Sequence, residues 1–168
     1  PIVGCEFFVA EERTKTKFTK DNPDKRFQQL LIAKNKTGYH NLAKLSSLGY
    51  IEGLYGLYPR VDKELIKEYS EGVIATSGGL RGEIPHLILN VGETQAEEAL
   101  LWWKDIFGKD FYLEINRHDL EDENHLNQIL VQMARKHDVP LIAANECYYL
   151  DKDDAKAHDV LICIKENE

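Results

Sequence analysis

Short apolar runs and longer periodic segments follow one another along the chain and predict strands and helices in turn. About five runs are rich in β-branched and aromatic residues, which is typical of strands. They lie at residues 2–9, 30–33, 73–76, 111–115 and 139–144. The clearest amphipathic helix is predicted over 121–137. Its apolar face consists of Leu126, Ile129, Leu130 and Met133. This alternation predicts an α/β fold built on a parallel sheet or a (β/α) barrel.

Capping residues predict where several helices begin and end. Thr37 and Asp62 are predicted N-caps, because short polar side chains satisfy the free amides of a first helical turn. Thr94 followed by Glu97 matches a capping box, and Gly108 suits the end of that helix. The helix after Thr37 is expected to bury one face made of Tyr39, Leu42, Leu45 and Leu48. Two more helices are predicted over 82–89 and 152–164.

The length of the chain limits how much of a barrel it can form. A closed eight-stranded (β/α) barrel takes about 250 residues, whereas this chain has 168. The first predicted strand starts at the second residue, and the last predicted helix ends close to the final residue. We therefore expect a single domain over 1–168 that is cut from a longer protein and lacks its first strands and its last.

Composition and charge narrow the classes of function. The chain is 43% hydrophobic and 30% charged, and no apolar run approaches the roughly 20 residues that cross a bilayer, so a cytoplasmic globular domain is expected. A net charge of −8 argues against binding nucleic acid through phosphate contacts. The basic stretch 13–26 is interpreted as a solvated loop. Cys5, Cys147 and Cys163 support neither a disulfide framework nor a zinc ribbon.

A glycine-rich turn follows the strand at 73–76. The segment 77–83 reads Ser-Gly-Gly-Leu-Arg-Gly-Glu and precedes a predicted helix. It could hold a phosphate on helix-terminal amides, assisted by Arg81. It lacks the Lys-Ser/Thr ending of a P-loop and the dinucleotide fingerprint. A tight turn that requires glycine is therefore the favoured interpretation.

Polar residues also follow the strand at 111–115. His118 comes after Glu114 and Asn116, so it could be a metal ligand or a general acid–base group. A single histidine at such a position is more often a hydrogen-bonding residue at the rim, which is the interpretation favoured here.

The segment 143–150, Ala-Ala-Asn-Glu-Cys-Tyr-Tyr-Leu, lies at a position that is typical of a functional site but lacks the residues that usually form one. It joins the end of an apolar strand to a helix that carries His158, and α/β enzymes keep their chemistry at such junctions. No H-x-H or H-E-x-x-H pattern occurs in the chain. This segment is therefore interpreted as a metal site whose ligands have been replaced.

Taken in order, these motifs resemble the PHP (polymerase and histidinol phosphatase) domain of bacterial DNA polymerase III alpha subunits. The stretches that carry the resemblance are 1–7, 31–35, 38–42, 44–48, 77–85, 111–118 and 157–164. They cover nearly the whole chain and occur in the same order as in that family.

The resemblance implies a fold and a chemistry. The fold would be a partial, distorted (β/α)7 barrel of the PHP type, truncated at its N-terminus. In intact members, His, Asp, Glu and Cys ligands at strand ends bind a zinc or manganese cluster, and the first of these ligands would lie before residue 1. Some members act as phosphoesterases or 3′–5′ proofreading exonucleases. The parent protein would be a DNA-directed DNA polymerase, a nucleotidyltransferase that uses Mg²⁺.

The ligand positions can be matched one by one. Glu6 matches a glutamate ligand of the family, and Glu146 replaces an aspartate. Gln28 stands where active members have His, Gly79 where many have Cys, and Tyr148 where they have His. Gln, Gly and Tyr are not strong zinc ligands. Glu6 and Glu146 are therefore the only predicted metal residues, as remnants of a degenerate site.

Three functional hypotheses remain open. The favoured one is a structural PHP segment that is inactive alone and supports the rest of the polymerase alpha subunit. It would offer a docking surface to a proofreading exonuclease subunit and would meet DNA only through the parent. The second is an active metal-dependent phosphoesterase or 3′–5′ exonuclease that uses Glu6, Glu146, His118 and His158 together with histidines upstream of residue 1. The third is a free-standing interaction domain. Uncovered strand edges also predict self-association, and no membrane partner is expected.

Overall fold

The computed structural model describes residues 1–166, in which the chain forms six strands and six α-helices. The strands are β1 Gly4–Ala10, β2 Arg26–Ala33, β3 Arg60–Val61, β4 Val73–Thr76, β5 Phe111–Ile115 and β6 Leu141–Ala143. The helices are α1 Lys36–Ile51, α2 Lys63–Glu68, α3 Glu83–Asn90, α4 Glu93–Phe107, α5 Glu121–His137 and α6 Ala155–Glu166. Short 3₁₀ turns lie at Gly108–Asp110 and Lys152–Asp154.

The strands form one mixed sheet in the order β3-β1-β2-β4-β5-β6. β2 runs antiparallel to both β1 and β4, whereas the other neighbouring pairs are parallel. The expectation of a parallel sheet is therefore wrong, because β1 and β2 form a hairpin that reverses the chain. The α/β class is confirmed. Within residues 1–166 the edge strands β3 and β6 are not paired with each other, so a closed barrel is not observed.

Three strands, β1, β2 and β6, differ in their bounds from the sequence prediction, and β3 was not predicted. β1 is Gly4–Ala10 instead of 2–9. β2 begins at Arg26, four residues early, because Arg26 pairs with Ala10 at the loop end of the β1–β2 ladder. β3 is a two-residue strand, too short to give an apolar pattern. β6 has only three residues, since Pro140 has no amide hydrogen to donate to a ladder.

Two of the three predicted N-caps are wrong. Asn35 caps α1 in place of Thr37. Its extended backbone lets the side-chain Oδ1 accept a hydrogen bond from the backbone amide of Gly38, three residues later, at 3.0 Å. Asp62 caps α2 as predicted. Thr94 lies inside the first turn of α4 instead. Gly92, with φ 155°, lies two residues after the end of α3 and is itself the N-cap of α4, so no capping box forms there.

A single apolar core packs helices on one face of the sheet. All four predicted residues of the α5 face are buried, as is Trp103 of α4. In α1, Leu42 and Leu45 are buried, but Tyr39 is 51% exposed. The prediction for Tyr39 is wrong because α1 approaches the domain at Gly38, where an added Cβ would overlap the carbonyl oxygen of Gly72. Among residues 1–166, no helix has the length and apolarity that crossing a membrane requires.

The basic segment 13–26 is mainly an exposed loop, as predicted, but it is also anchored to the domain. Arg60 is fully buried beneath it, and its guanidinium donates to the carbonyl oxygens of Arg13 and Lys15 at 2.8 and 2.7 Å. The same group pairs with Asp24 at 3.0 Å. Arg13 in turn bonds Asp62 at 2.8 Å. The segment is therefore fastened to the start of α2 by buried arginine contacts.

Candidate functional site

The carboxyl ends of β4, β5 and β6 bring polar residues to one edge of the sheet. These strands are mutually parallel, so the residues that follow them meet there. Ser77 after β4 is 2% exposed, and its Oγ accepts a hydrogen bond from the Glu114 amide at 2.9 Å. Glu114 and Asn116 are 7% and 8% exposed. Glu146, beyond β6, is exposed at the same edge.

The glycine-rich turn is a compact backbone structure, as the sequence predicts. Gly78 has φ 70°, a conformation that favours glycine. The amide of Gly82 donates to the Gly79 carbonyl oxygen at 2.8 Å, and an added Cβ on Gly82 would overlap the carbonyl oxygen of Ser77. Because this amide is already used within the turn, the tight-turn interpretation is preferred over a phosphate cradle.

Tyr148 and Glu146 form a hydrogen-bonded pair at the site. The phenolic hydroxyl of Tyr148 donates to Glu146 Oε2 at 2.7 Å. This hydrogen bond and the charge of the same carboxylate raise the pKa of Tyr148; burial and the charge of Glu6 raise it further, and the charge of Arg81 lowers it. Glu6, exposed on β1, therefore lies within electrostatic reach of the pair.

Gly79 leaves open the space that Glu146 occupies. A Cβ added at Gly79 would lie 3.3 Å from Glu146 Oε1 and 3.4 Å from Asn116 Nδ2. Glu146 is one methylene longer than the aspartate that it replaces, and its carboxylate thus reaches a position next to Gly79, which has no side chain. Positions 79, 146 and 148 fit together as one arrangement in which the carboxylate already has a donor.

These residues do not fit the zinc or manganese cluster that the resemblance implies. Residues 1–166 contain no group of three or more His, Cys, Asp or Glu side chains placed to hold a metal ion. Gln28 and Gly79 supply no strong ligand, and the Tyr148 hydroxyl is engaged with Glu146. The assignment of Glu6 and Glu146 as remnant metal residues stays a prediction.

His118 is a hydrogen-bonding residue at the rim, as favoured from the sequence. Its Nδ1 lies 2.7 Å from Glu123 Oε1, and its Nε2 lies 2.7 Å from Asn145 Oδ1. Hydrogen bonds to Glu123 and then to Asn145 raise the pKa of His118. With both ring nitrogens engaged, His118 offers no free ligand atom to a metal.

Glu123 and Asn145 are the site residues that sequence reasoning missed. The Glu123 side chain is 5% exposed, and its carboxylate accepts from the His118 amide at 2.6 Å. Burial raises the pKa of Glu123, but the hydrogen bonds from His118 outweigh it and the pKa is lowered. Three acidic residues at the start of α5 indicate only a helix N-terminus, so the sequence does not distinguish Glu123 from its neighbours.

His158 of α6 is held by aromatic contacts. Its ring centroid lies 5.3 Å from that of Tyr148 in a stacked arrangement and 5.4 Å from that of Tyr149. His158 therefore contributes to the packing of the 143–150 segment onto α6, and its role as a metal or acid–base group stays without structural support.

Comparison with known proteins gives one family match and a consistent set of relatives. The family model described as "PHP domain" matches residues 1–118. DNA polymerase III subunit alpha of Borreliella burgdorferi is 43% identical over 164 residues, and that of Thermus aquaticus is 42% identical over 166; each alignment covers 98% of this chain. The Treponema pallidum protein is 37% identical over 164 residues, 97% of the chain. The chain spans about 14% of the length of these relatives.

Proposed function

We propose that this chain, which belongs to the PHP-domain family, serves in DNA replication as the PHP domain of a DNA polymerase III alpha subunit. The proposal is supported by its relatives, all named as that subunit, which align along almost the full chain. The alignments extend past residue 118 and so include the segment with Glu146 and Tyr148. The polymerase chemistry, with its Mg²⁺ and nucleotides, would belong to the remainder of such a protein.

Within that protein the domain would act as a structural support and not as a hydrolase. The observation that carries this proposal is the hydrogen bond from Tyr148 to Glu146 in front of Gly79. A hydrolytic metal centre needs several strong ligands around an open coordination position. Here one carboxylate is bonded to a phenol, and its neighbour at 79 has no side chain. The domain would therefore need no zinc or manganese for its role.

The partners follow from the same proposal. The rest of the alpha subunit would pack against this domain, and a separate proofreading exonuclease subunit could dock on it. The net charge of −8 makes direct phosphate contacts unfavourable, so DNA would be met through the remainder of the polymerase.

The test uses the purified polypeptide that carries this chain. Primer extension with Mg²⁺ and 3′–5′ degradation of a mismatched primer with Zn²⁺ or Mn²⁺ are measured side by side, with any proofreading subunit removed. We expect extension without degradation. A matched variant, Glu6→Ala with Glu146→Ala, should extend primers at the same rate. Degradation that disappears in this variant would contradict the structural role, and absence of extension would contradict the replicative one.

A further inference from the structure

The C-terminal segment 145–166 is attached to the rest of the domain by few contacts. None of its residues is buried, and α6 presents Val160, Leu161 and Ile164 to solvent at 59%, 61% and 69% exposure. Among the described residues, a single hydrogen bond joins this segment to residues 1–140. It links Asn145 Oδ1 to Nε2 of His118 at 2.7 Å.

The other side of the same imidazole ring is fixed by a buried carboxylate. Glu123 in the first turn of α5 lies 2.7 Å from His118 Nδ1, and its second oxygen accepts from the His118 backbone amide at 2.6 Å. A carboxylate with only 5% of its side chain exposed must keep its hydrogen-bond donors, because a buried charge without partners is costly. Nδ1 is therefore the nitrogen that keeps its proton when the ring is neutral.

The arrangement around the ring is best satisfied by a proton on each ring nitrogen. Both facing atoms, Glu123 Oε1 and Asn145 Oδ1, are acceptors. The amide of Asn145 is oriented by its Nδ2, which points to Cys147 Sγ at 3.7 Å. The charged groups that face the ring are the carboxylates of Glu123 from α5 and Glu146 from the segment after β6. Both carboxylates favour the doubly protonated ring.

We propose that His118 is a clasp that holds segment 145–166 on the domain while both ring nitrogens carry protons and releases it when Nε2 loses its proton. The neutral ring keeps its Nδ1 hydrogen for Glu123, so Nε2 then turns a lone pair toward the Oδ1 oxygen of Asn145. Two acceptors repel, and the one hydrogen bond to the segment is lost. Glu146 and Tyr148 travel with the segment, so the clasp also sets their position in front of Gly79.

The direction of the pH dependence follows from the two carboxylate contacts. The pKa of His118 is raised, so attachment is complete below the ordinary histidine value of about 6.5 and is lost as pH rises through the raised value. The pKa of Glu123 is lowered, so its contribution is lost only as the solution becomes strongly acidic. The clasp is thus closed in mildly acidic solution and opens as pH rises above the ordinary histidine pKa.

Hydrogen exchange measured by mass spectrometry on the full chain tests the clasp. Protection of peptides from 145–166, corrected for intrinsic exchange, is followed from about pH 5 to 9. We expect at least about a tenfold loss of protection in the wild type across this range and no pH-dependent step in His118→Gln. The matched control is His137→Gln, because His137 also pairs with a glutamate, Glu97 at 2.6 Å, but on α4. It should keep the wild-type profile.

Two further variants keep the test independent of folding defects. Asn145→Ala leaves the pair of His118 and Glu123 intact and should hold protection at the low level of the open wild type at every pH. Asn145→Asp places a carboxylate opposite Nε2 and should move the opening to higher pH. The nitrogen chemical shifts of the His118 ring, read by NMR, should titrate at the same pH as the loss of protection. Protection that stays constant in the wild type, or that survives in Asn145→Ala, would overturn the proposal. The test does not depend on the replicative role.

Discussion

Removing the buried guanidinium of Arg60 should substantially lower the free energy of unfolding of this domain. The Arg60 side chain is 0% exposed and pairs with Asp24, itself only 11% exposed. Its other donors reach the carbonyl oxygens of Gly53, Arg13 and Lys15. Breaking a buried ion pair by removing one partner costs about 3–5 kcal/mol. The 11–25 loop can turn its freed carbonyl groups toward water, which limits the penalty. We therefore expect Arg60→Met to lower the free energy of unfolding by about 3 kcal/mol, the low end of this range.

The measurement is urea unfolding followed by the fluorescence of the buried Trp103, with the free energy of unfolding taken by linear extrapolation. The matched control is Arg60→Lys, which keeps the charge but, with three N–H donors on one nitrogen, cannot keep all four hydrogen bonds of the guanidinium, so it should cost about 1–3 kcal/mol. Asp24→Asn combined with Arg60→Met should cost less than the sum of the two single changes, since the double variant removes both members of the Arg60–Asp24 pair, although Arg26 also contacts Asp24 at 3.3 Å. A loss below about 1 kcal/mol for Arg60→Met, with an unchanged slope, would refute the reasoning.

Three further predictions concern the core, a close helix contact and acid stability. Leu130→Ala in the fully buried face of α5 should lower the free energy of unfolding by about 2–5 kcal/mol in the same urea assay. Gly38→Ala should lower the melting temperature, since its Cβ would overlap a backbone carbonyl group, at a cost of about 1–3 kcal/mol. Hydrogen bonds from Lys136 and then His137 lower the pKa of Glu97. The stabilisation that these two contacts give to the folded domain is therefore present above the pKa that Glu97 has in the unfolded chain. It is lost as pH falls through the lower pKa that Glu97 has in the folded chain. Glu97→Gln should lose less stability than the wild type in an acid titration from about pH 5 to 3.

The elements of this fold were predictable where one periodicity dominates the sequence. The β5 strand and the α5 helix match their predicted bounds because each buries a regular face. The capping errors have a local cause. Thr37 and Thr94 each occupy the second position of a helix. Asn35 caps the helix that contains Thr37, and Gly92 caps the helix that contains Thr94. Short polar residues in a row give several equivalent caps, and packing chooses among them.

The contacts that define the site lie far apart along the chain and leave no local signal. Arg60 reaches across 36 residues to Asp24, so the charge of the basic loop does not show that the loop is anchored. His118 and Asn145 are separated by 27 residues, and only the packing of β5 beside β6 brings them together. The resemblance identified the positions at which metal ligands are replaced. It did not predict how the replacing residues pack together, because that depends on where the Glu146 carboxylate lies relative to Gly79.

The most direct test of a metal-independent domain is its metal content. The polypeptide that carries this chain is equilibrated with zinc and manganese, freed of excess metal, and analysed by plasma mass spectrometry beside its Glu6→Ala, Glu146→Ala variant. The variant corrects for metals bound elsewhere in the protein. We predict that the two differ by less than about a tenth of an equivalent, because the remaining carboxylates do not make a site. A difference of about two equivalents would contradict the account and show that Glu6 and Glu146 still anchor a metal cluster.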